Sequence, residues 1–219
     1  MESLHAIRLH YESALESGGD SGQKVGWRDS KAQELRFEAI SRILNGVSFS
    51  TVNDFGCGTG DLLMHLRAQG WTGNYRGSDI GTKMVAEATS RFCLDHSAQF
   101  EVSASPPEAQ AVIASGIFNV CTMISDDDWH SYCCETIGQM WRSSSKAMVF
   151  NMLSIDSHAD RRQSGLAYMN PSDWLTYCRT NFSSHVRLDQ SYGQFDFTIA
   201  VFHHPPEVRG LADSLKASV

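Results

Sequence analysis

Several things are missing from this sequence, and each absence narrows the field. No apolar run approaches the roughly 18 residues needed to span a bilayer. The opening MESLHAIRLHYE lacks the basic-then-apolar order of a secretory signal. Among the six cysteines (Cys57, Cys93, Cys121, Cys133, Cys134 and Cys178) there is no CxxC pair and no disulfide-like ladder. They read as reduced thiols packed as small hydrophobes in a cytoplasmic protein. Neither zinc-finger nor HExxH spacing occurs, so no metal site is expected. Positive charge is short as well: 18 Lys and Arg against 25 Asp and Glu give a formal charge of -7. A nucleic-acid binder usually carries a basic face that neutralises phosphates, so nucleic acid is not an expected partner, nor is a membrane.

What is present fits one α/β domain. The 219 residues, 42% of them hydrophobic, suffice for a continuous core. Periodicity predicts a helix over Glu2–Leu15, a glycine-rich loop over Ser17–Gly26 ending in Trp27, and a second helix. That helix opens on a capping-box pattern, Ser30 with Gln33, and carries Ala32, Leu35, Ala39, Ile40 and Ile43 along one face. An alternation follows. Strands are expected at Thr51–Asp54, Asn74–Asp79, Gln99–Val102, Ala111–Ala114 and Ala147–Leu153, with helices at Asp61–Gln69, Thr82–Phe92 and Trp129–Ser143. Asn170-Pro171 reads as an N-cap with proline at N1, opening a helix to about Asn181. Two last strands, His185–Leu188 and Phe195–Phe202, are joined by a short turn and must run antiparallel. The expected architecture is a doubly wound, mostly parallel seven-stranded sheet with one antiparallel strand near the C-terminus and helices on both faces. Residues 1–46 would form a helical lid or cap, 47–204 the sheet domain and 205–219 a tail.

The segment Val52–Asp61, VNDFGCGTGD, carries the chemistry. It lies where a strand turns into a helix, the place where open α/β sheets bind ligands. Its glycines, Gly56, Gly58 and Gly60, are spaced GxGxG; the dinucleotide fingerprint is GxGxxG, and no P-loop Lys-Ser/Thr follows. Bare Cα atoms let the backbone approach a flat or zwitterionic group closely. Asp54, just before the loop, is a poor neighbour for phosphate and suits an ammonium.

The run DFGCGTGD resembles the first motif of class I S-adenosylmethionine-dependent methyltransferases, which have a Rossmann-like fold. The resemblance continues at YRGSDI, Tyr75–Ile80, and covers roughly Trp27 to His203. It implies that Asp54, Gly56, Cys57, Gly58 and Gly60 cradle the amino-acid part of the cofactor. By the same likeness Asp79, 25 residues after Asp54, would hold both ribose hydroxyls, and Ile80 would pack on adenine. Met84, Ser115 and Gly116 complete the expected cofactor contacts, and the adenine amino group falls to Glu101 or Ser103. The fourth strand ends in ASGIFN where amino methyltransferases acting on nucleic acid or protein amides carry Asn/Asp-Pro-Pro-Tyr, so those substrates lose support.

Other residues keep two readings. Arg36 falls near the apolar stripe of its helix, where a charge needs a partner: the carboxylate of the cofactor or one within the chain. Trp27 and Tyr11 read as lid elements or as anchors of the N-terminal helix. Asn119 stands at the mouth of the fourth strand as a catalytic candidate; Phe118 either contacts the substrate or fills the core. The run Asp126-Asp127-Asp128 is a metal site, a receptor for a cationic amine, or a set of acids at a helix N-terminus. His130 is a candidate general base. Asn151 sits in an apolar strand and needs partners, from the backbone or from substrate. Tyr168, Asn170 and Tyr192 could cover the pocket. The expected activity is methyl transfer from S-adenosylmethionine to N or O, including carboxylate, of a small biosynthetic metabolite, by a monomer or homodimer. The rivals are a nucleotide-sugar or NAD enzyme, a macromolecule-directed methyltransferase and a catalytically silent S-adenosylmethionine-binding partner protein.

Overall fold

The structure is a computed structural model that describes residues 30–122, 124–158, 160, 162–193 and 195–206. Tyr11, Trp27, the helix expected at Glu2–Leu15 and the segment 207–219 lie outside the described residues.

Helix α1 (Ser30–Ile43) leads into the alternation β1 (Thr51–Phe55), α2 (Asp61–Ala68), β2 (Asn74–Asp79), α3 (Thr82–Arg91), β3 (Ala98–Val102) and β4 (Ala109–Ala114). Then come α4 (Asp126–Ser143), β5 (Ser144–Ser154), β6 (Tyr168–Met169), α5 (Pro171–Asn181), β7 (Val186–Asp189) and β8 (Asp196–Phe202). The sheet runs β3-β2-β1-β4-β5-β8-β7, with β6 beside β5. The β1–β6 pairings are parallel, and β8 runs antiparallel to both β5 and β7. One reversed strand late in the chain is thus the observed arrangement. Among the described residues the sheet has eight strands where seven were expected, because two-residue β6 is too short to leave a periodic signal.

The central strands β4, β5 and β8 are largely buried on both faces, as strands covered by helices must be. On one face, Trp129, Ile137 and Met140 of α4 and Trp174 of α5 pack on Phe150, Phe197 and Ile199. On the other, Phe37 and Ile40 of α1 and Leu62 and Leu63 of α2 pack on Val52, Ile113, Val149 and Phe202. Helix α1 therefore helps form the core of the sheet domain.

Helix starts follow their caps. Asn170 Oδ1 accepts the Ser172 N–H at 3.0 Å ahead of Pro171 at N1. In α4 the cap is Ser125, whose Oγ accepts the Asp128 N–H at 3.2 Å, so the helix begins at Asp126, before the expected Trp129. Asp126, Asp127 and Asp128 are its exposed first turn, where acids complement the macrodipole. No metal-ligating group of three side chains exists among the described residues.

Candidate functional site

The site forms at the carboxyl ends of β1, β2 and β4. After Phe55 the chain turns sharply: the Gly56 and Cys57 N–H groups both donate to Ser78 O, at 2.7 and 3.1 Å. Gly56, Gly58 and Gly60 have φ of 79°, 52° and 83°, the left-handed region that L side chains seldom enter. Asp79, at the end of β2, fastens this turn. Its Oδ2 accepts the Gly58 N–H at 2.9 Å and its Oδ1 accepts the Gly81 N–H at 2.7 Å.

A cavity of about 630 Å³ opens above the turn, within the range of small-molecule and cofactor sites. Asp54, Gly56, Cys57, Gly58, Asp79 and Ile80 line it. So do Met84, Ser115 and Gly116, while α1 contributes Arg36 and Phe37 from above. The sequence motifs, far apart along the chain, converge on one chamber.

Two expected cofactor contacts do not reach it. A Cβ at Gly60 would come within 2.7 Å of Phe92 and 3.2 Å of Phe100, so its bare Cα makes room for two stacked rings. Ser103 turns away: its N–H donates to Asp79 O and its hydroxyl to Ser105 O, and Ala104 lines the cavity in its place. Glu101 lies outside this chamber, on a separate depression near β3.

The floor is electrostatically unusual. Tyr75 Oη donates to Asp54 Oδ2 at 2.5 Å, and both groups are buried. Desolvation pushes the Asp54 carboxyl up to about 7; the Tyr75 hydrogen bond opposes the shift, and repulsion from Asp79 and Asp61 adds to it. Burial first, then Asp54 and Asp79, also push up the Cys57 thiol, which therefore stays protonated. Asp61 ties three helices together: it accepts from Arg91 at 2.5 Å, Thr59 Oγ1 at 3.1 Å and Gln33 at 3.4 Å.

Arg36 finds its carboxylate within the chain. Its Nε donates to Asp196 Oδ2 at 2.5 Å and its Nη1 to Ala32 O at 2.5 Å. Burial raises the Asp196 carboxyl to about 6 against the lowering influence of Arg36. Arg36 still lines the cavity, so its guanidinium borders the site while bound to Asp196.

The acceptor-side expectations need more correction. Asn119 and Tyr168 do line the cavity. The Tyr168 hydroxyl accepts the Gln163 N–H at 2.9 Å, and its ring lies under the Arg162 guanidinium. Phe118 is fully buried, edge-on to Phe150, and belongs to the core. Asn151 is fully buried and supports the site from behind: it accepts the Gly116 N–H at 2.8 Å and donates to Ser115 Oγ at 2.9 Å. His130, the expected general base, does not line this cavity. It is exposed, packs against Trp174 and sits 3.7 Å from Cys134 Sγ, whereas α4 presents Tyr132, Glu135, Thr136 and Gln139 to the cavity. Tyr192 is buried with its hydroxyl 3.0 Å from Thr198 Oγ1, and Asn170 acts as the α5 cap. The sequence reading passed over the cavity face of α4, although Tyr132, Glu135, Thr136 and Gln139 follow the 3–4 residue spacing of one helix face. It also passed over Phe195, which lines the cavity together with Ser157. Phe195, with φ 55°, is a left-handed non-glycine residue at the rim.

No protein-family model matches the chain. A Mycobacterium tuberculosis protein named as a methyltransferase, Rv1506c, is 35% identical over 161 residues, which cover 73% of this chain and 97% of that one. Among solved structures, magnesium protoporphyrin IX methyltransferase of Synechocystis PCC 6803 with bound SAH aligns with a TM-score of 0.61 at 15% identity, covering 93% of this chain and 97% of that one. DhpI, in its complex with SAM and HEP, aligns with a TM-score of 0.65 at 15% identity, covering 91% and 98%. At such identities these two structures show a shared fold.

Proposed function

Since the chain belongs to the methyltransferase family and has its class I, Rossmann-like fold, we propose that it moves the methyl group of S-adenosylmethionine to a nitrogen or oxygen of a small molecule. The residues present fit that cofactor. A left-handed turn keeps the Gly56–Gly58 backbone close against the cavity, and Asp79 offers a carboxylate at its edge. Asp54 lies below, a carboxyl raised to about 7 whose ionised form a cationic ligand would favour, and Ile80 and Met84 offer apolar surface for an adenine. The observation that carries the reading is Asp79, which organises the glycine turn through Gly58 and Gly81 and lines the cavity as well.

When bound, S-adenosylmethionine supplies an already electrophilic methyl group. The protein's work is then mainly to hold two reactants together, which alone can account for several kcal/mol of a barrier. Asn151 fixes Gly116 and Ser115, which line the cavity, at the β4 mouth. Cys57, kept as a thiol, does not compete as a nucleophile. Isothermal calorimetry with S-adenosylmethionine and with NAD tests the assignment. Binding of the first, weakened by about 1–3 kcal/mol in Asp79→Ala, is expected. Binding of NAD in its place overturns it.

A further inference from the structure

Resting on the methyl-transfer reading, we propose that the adenine of the cofactor is read from helix α4, its amino group accepted by Glu135 and its N1 met by the Gln139 amide. The end of β3, where the sequence places this contact, does not supply it. Ser103 donates its hydroxyl to Ser105 O, Glu101 lines the separate depression, and Ala104 brings only a methyl group to the cavity. From there β3 passes to β4 through residues 103–108 without a helix. On α4, by contrast, Tyr132, Glu135, Thr136 and Gln139 fall on one face and all line the cavity. Ile80, the residue after Asp79, packs against the same apolar cluster as Tyr132, a cluster that holds Trp129 and Ile137 of α4. The apolar surface offered to the base and the polar face of α4 therefore lie on one side of the sheet.

The chemistry of the pair matches that base. Adenine carries a donor, its N6 amino group, beside an acceptor, N1, along its Watson–Crick edge. Glu135 and Gln139 stand one helical turn apart and present the complement. Gln139 Nε2 donates to Glu135 Oε1 at 3.5 Å, which leaves Glu135 Oε2 as an acceptor and the second Nε2 hydrogen as a donor. A base with a carbonyl in place of the amino group reverses both positions. Its oxygen would face the Glu135 carboxylate, and its N1–H would face an amide hydrogen.

The charges around the cavity agree. Of the carboxylates that line it, Asp54, Asp79 and Glu135, only Glu135 stands on α4. Arg36 comes from α1 and is held by Asp196 and Ala32 O. The Arg162 guanidinium lies over the Tyr168 ring of β6, bound to Ser157 O and Ile155 O. Glu135 is exposed and Gln139 half-buried, so the contact sits at the rim, where water competes and discrimination is modest.

The test is calorimetric titration of the full chain with S-adenosylhomocysteine and with S-inosylhomocysteine, in which a carbonyl replaces the adenine amino group. The native protein is expected to bind the adenosyl ligand about tenfold more tightly. Glu135→Ala and Gln139→Ala should each weaken the adenosyl ligand severalfold and leave the inosyl ligand within about twofold, so that the preference narrows. Glu101→Ala, on β3, should change neither affinity. Equal affinity of the native protein for the two ligands overturns the proposal, as does a preference that survives both α4 substitutions or is lost in Glu101→Ala. If the native protein binds neither ligand, the methyl-transfer reading falls and this proposal with it.

Discussion

Tyr75 Oη donates to Asp54 Oδ2 at 2.5 Å, joining β2 to β1 directly beneath the glycine turn. The pair places a buried acid with a carboxyl raised to about 7 under the cavity floor. Its folded value lies above the ordinary 3.8, so the folded protein retains a proton that the unfolded chain releases between those limits. Asp54's contribution to stability is therefore full at about pH 4 and below, and it is lost as pH rises through 7.

A cationic ligand over Asp54 favours the carboxylate form, so cofactor affinity should run the opposite way. We expect the dissociation constant for S-adenosylmethionine to fall by about tenfold from pH 6 to 8 in the native protein and to stay flat in Asp54→Asn. Calorimetric titration across that window checks it, and a flat native profile removes Asp54 from the cofactor's surroundings.

The Arg36–Asp196 pair predicts a non-additive stability series. Both groups are buried, so Arg36→Leu alone leaves Asp196 without its cation, at a cost of about 3–5 kcal/mol. Replacing both with leucine should cost far less than Arg36→Leu. Chemical denaturation of the two single variants and the double variant measures the coupling; additive losses contradict the pairing.

Asn151 predicts a structural defect with a functional consequence. Asn151→Leu removes the hydrogen bond from the Gly116 N–H to Asn151 Oδ1, which should cost about 1–3 kcal/mol of stability. Turnover should fall as well, because Ser115 and Gly116 border the cavity. Asn151→Asp keeps an acceptor for Gly116 and should recover much of the stability. Equal losses in the two variants would show that this hydrogen bond is not what matters.

Local signals in the sequence were reliable where the physics is local. The glycine turn after β1, the acid ending β2 and the Asn170–Pro171 start of α5 are all written within a few adjacent residues, and all three stand in the structure. Long-range partnerships were not legible. Asp196, which answers the charge on Arg36, lies 160 residues away, and nothing near Arg36 announces it. Gly60 looked like one more ligand-facing glycine, yet it accommodates Phe92 and Phe100, which arrive from beyond α3 and from β3. His130 failed for a reason of helix phase: its ring turns toward Trp174 of α5, and the cavity receives Tyr132, Glu135, Thr136 and Gln139. Asn151 announced itself as odd within an apolar strand, but only the neighbouring β4 mouth shows which groups it serves.

A crystal structure of the protein with S-adenosylhomocysteine tests the central claim most directly. The account predicts ligand density against the Gly56–Gly58 backbone, with both ribose hydroxyls within hydrogen-bonding reach of Asp79. Density for the ligand elsewhere on the molecule, or a ribose turned away from Asp79, contradicts it.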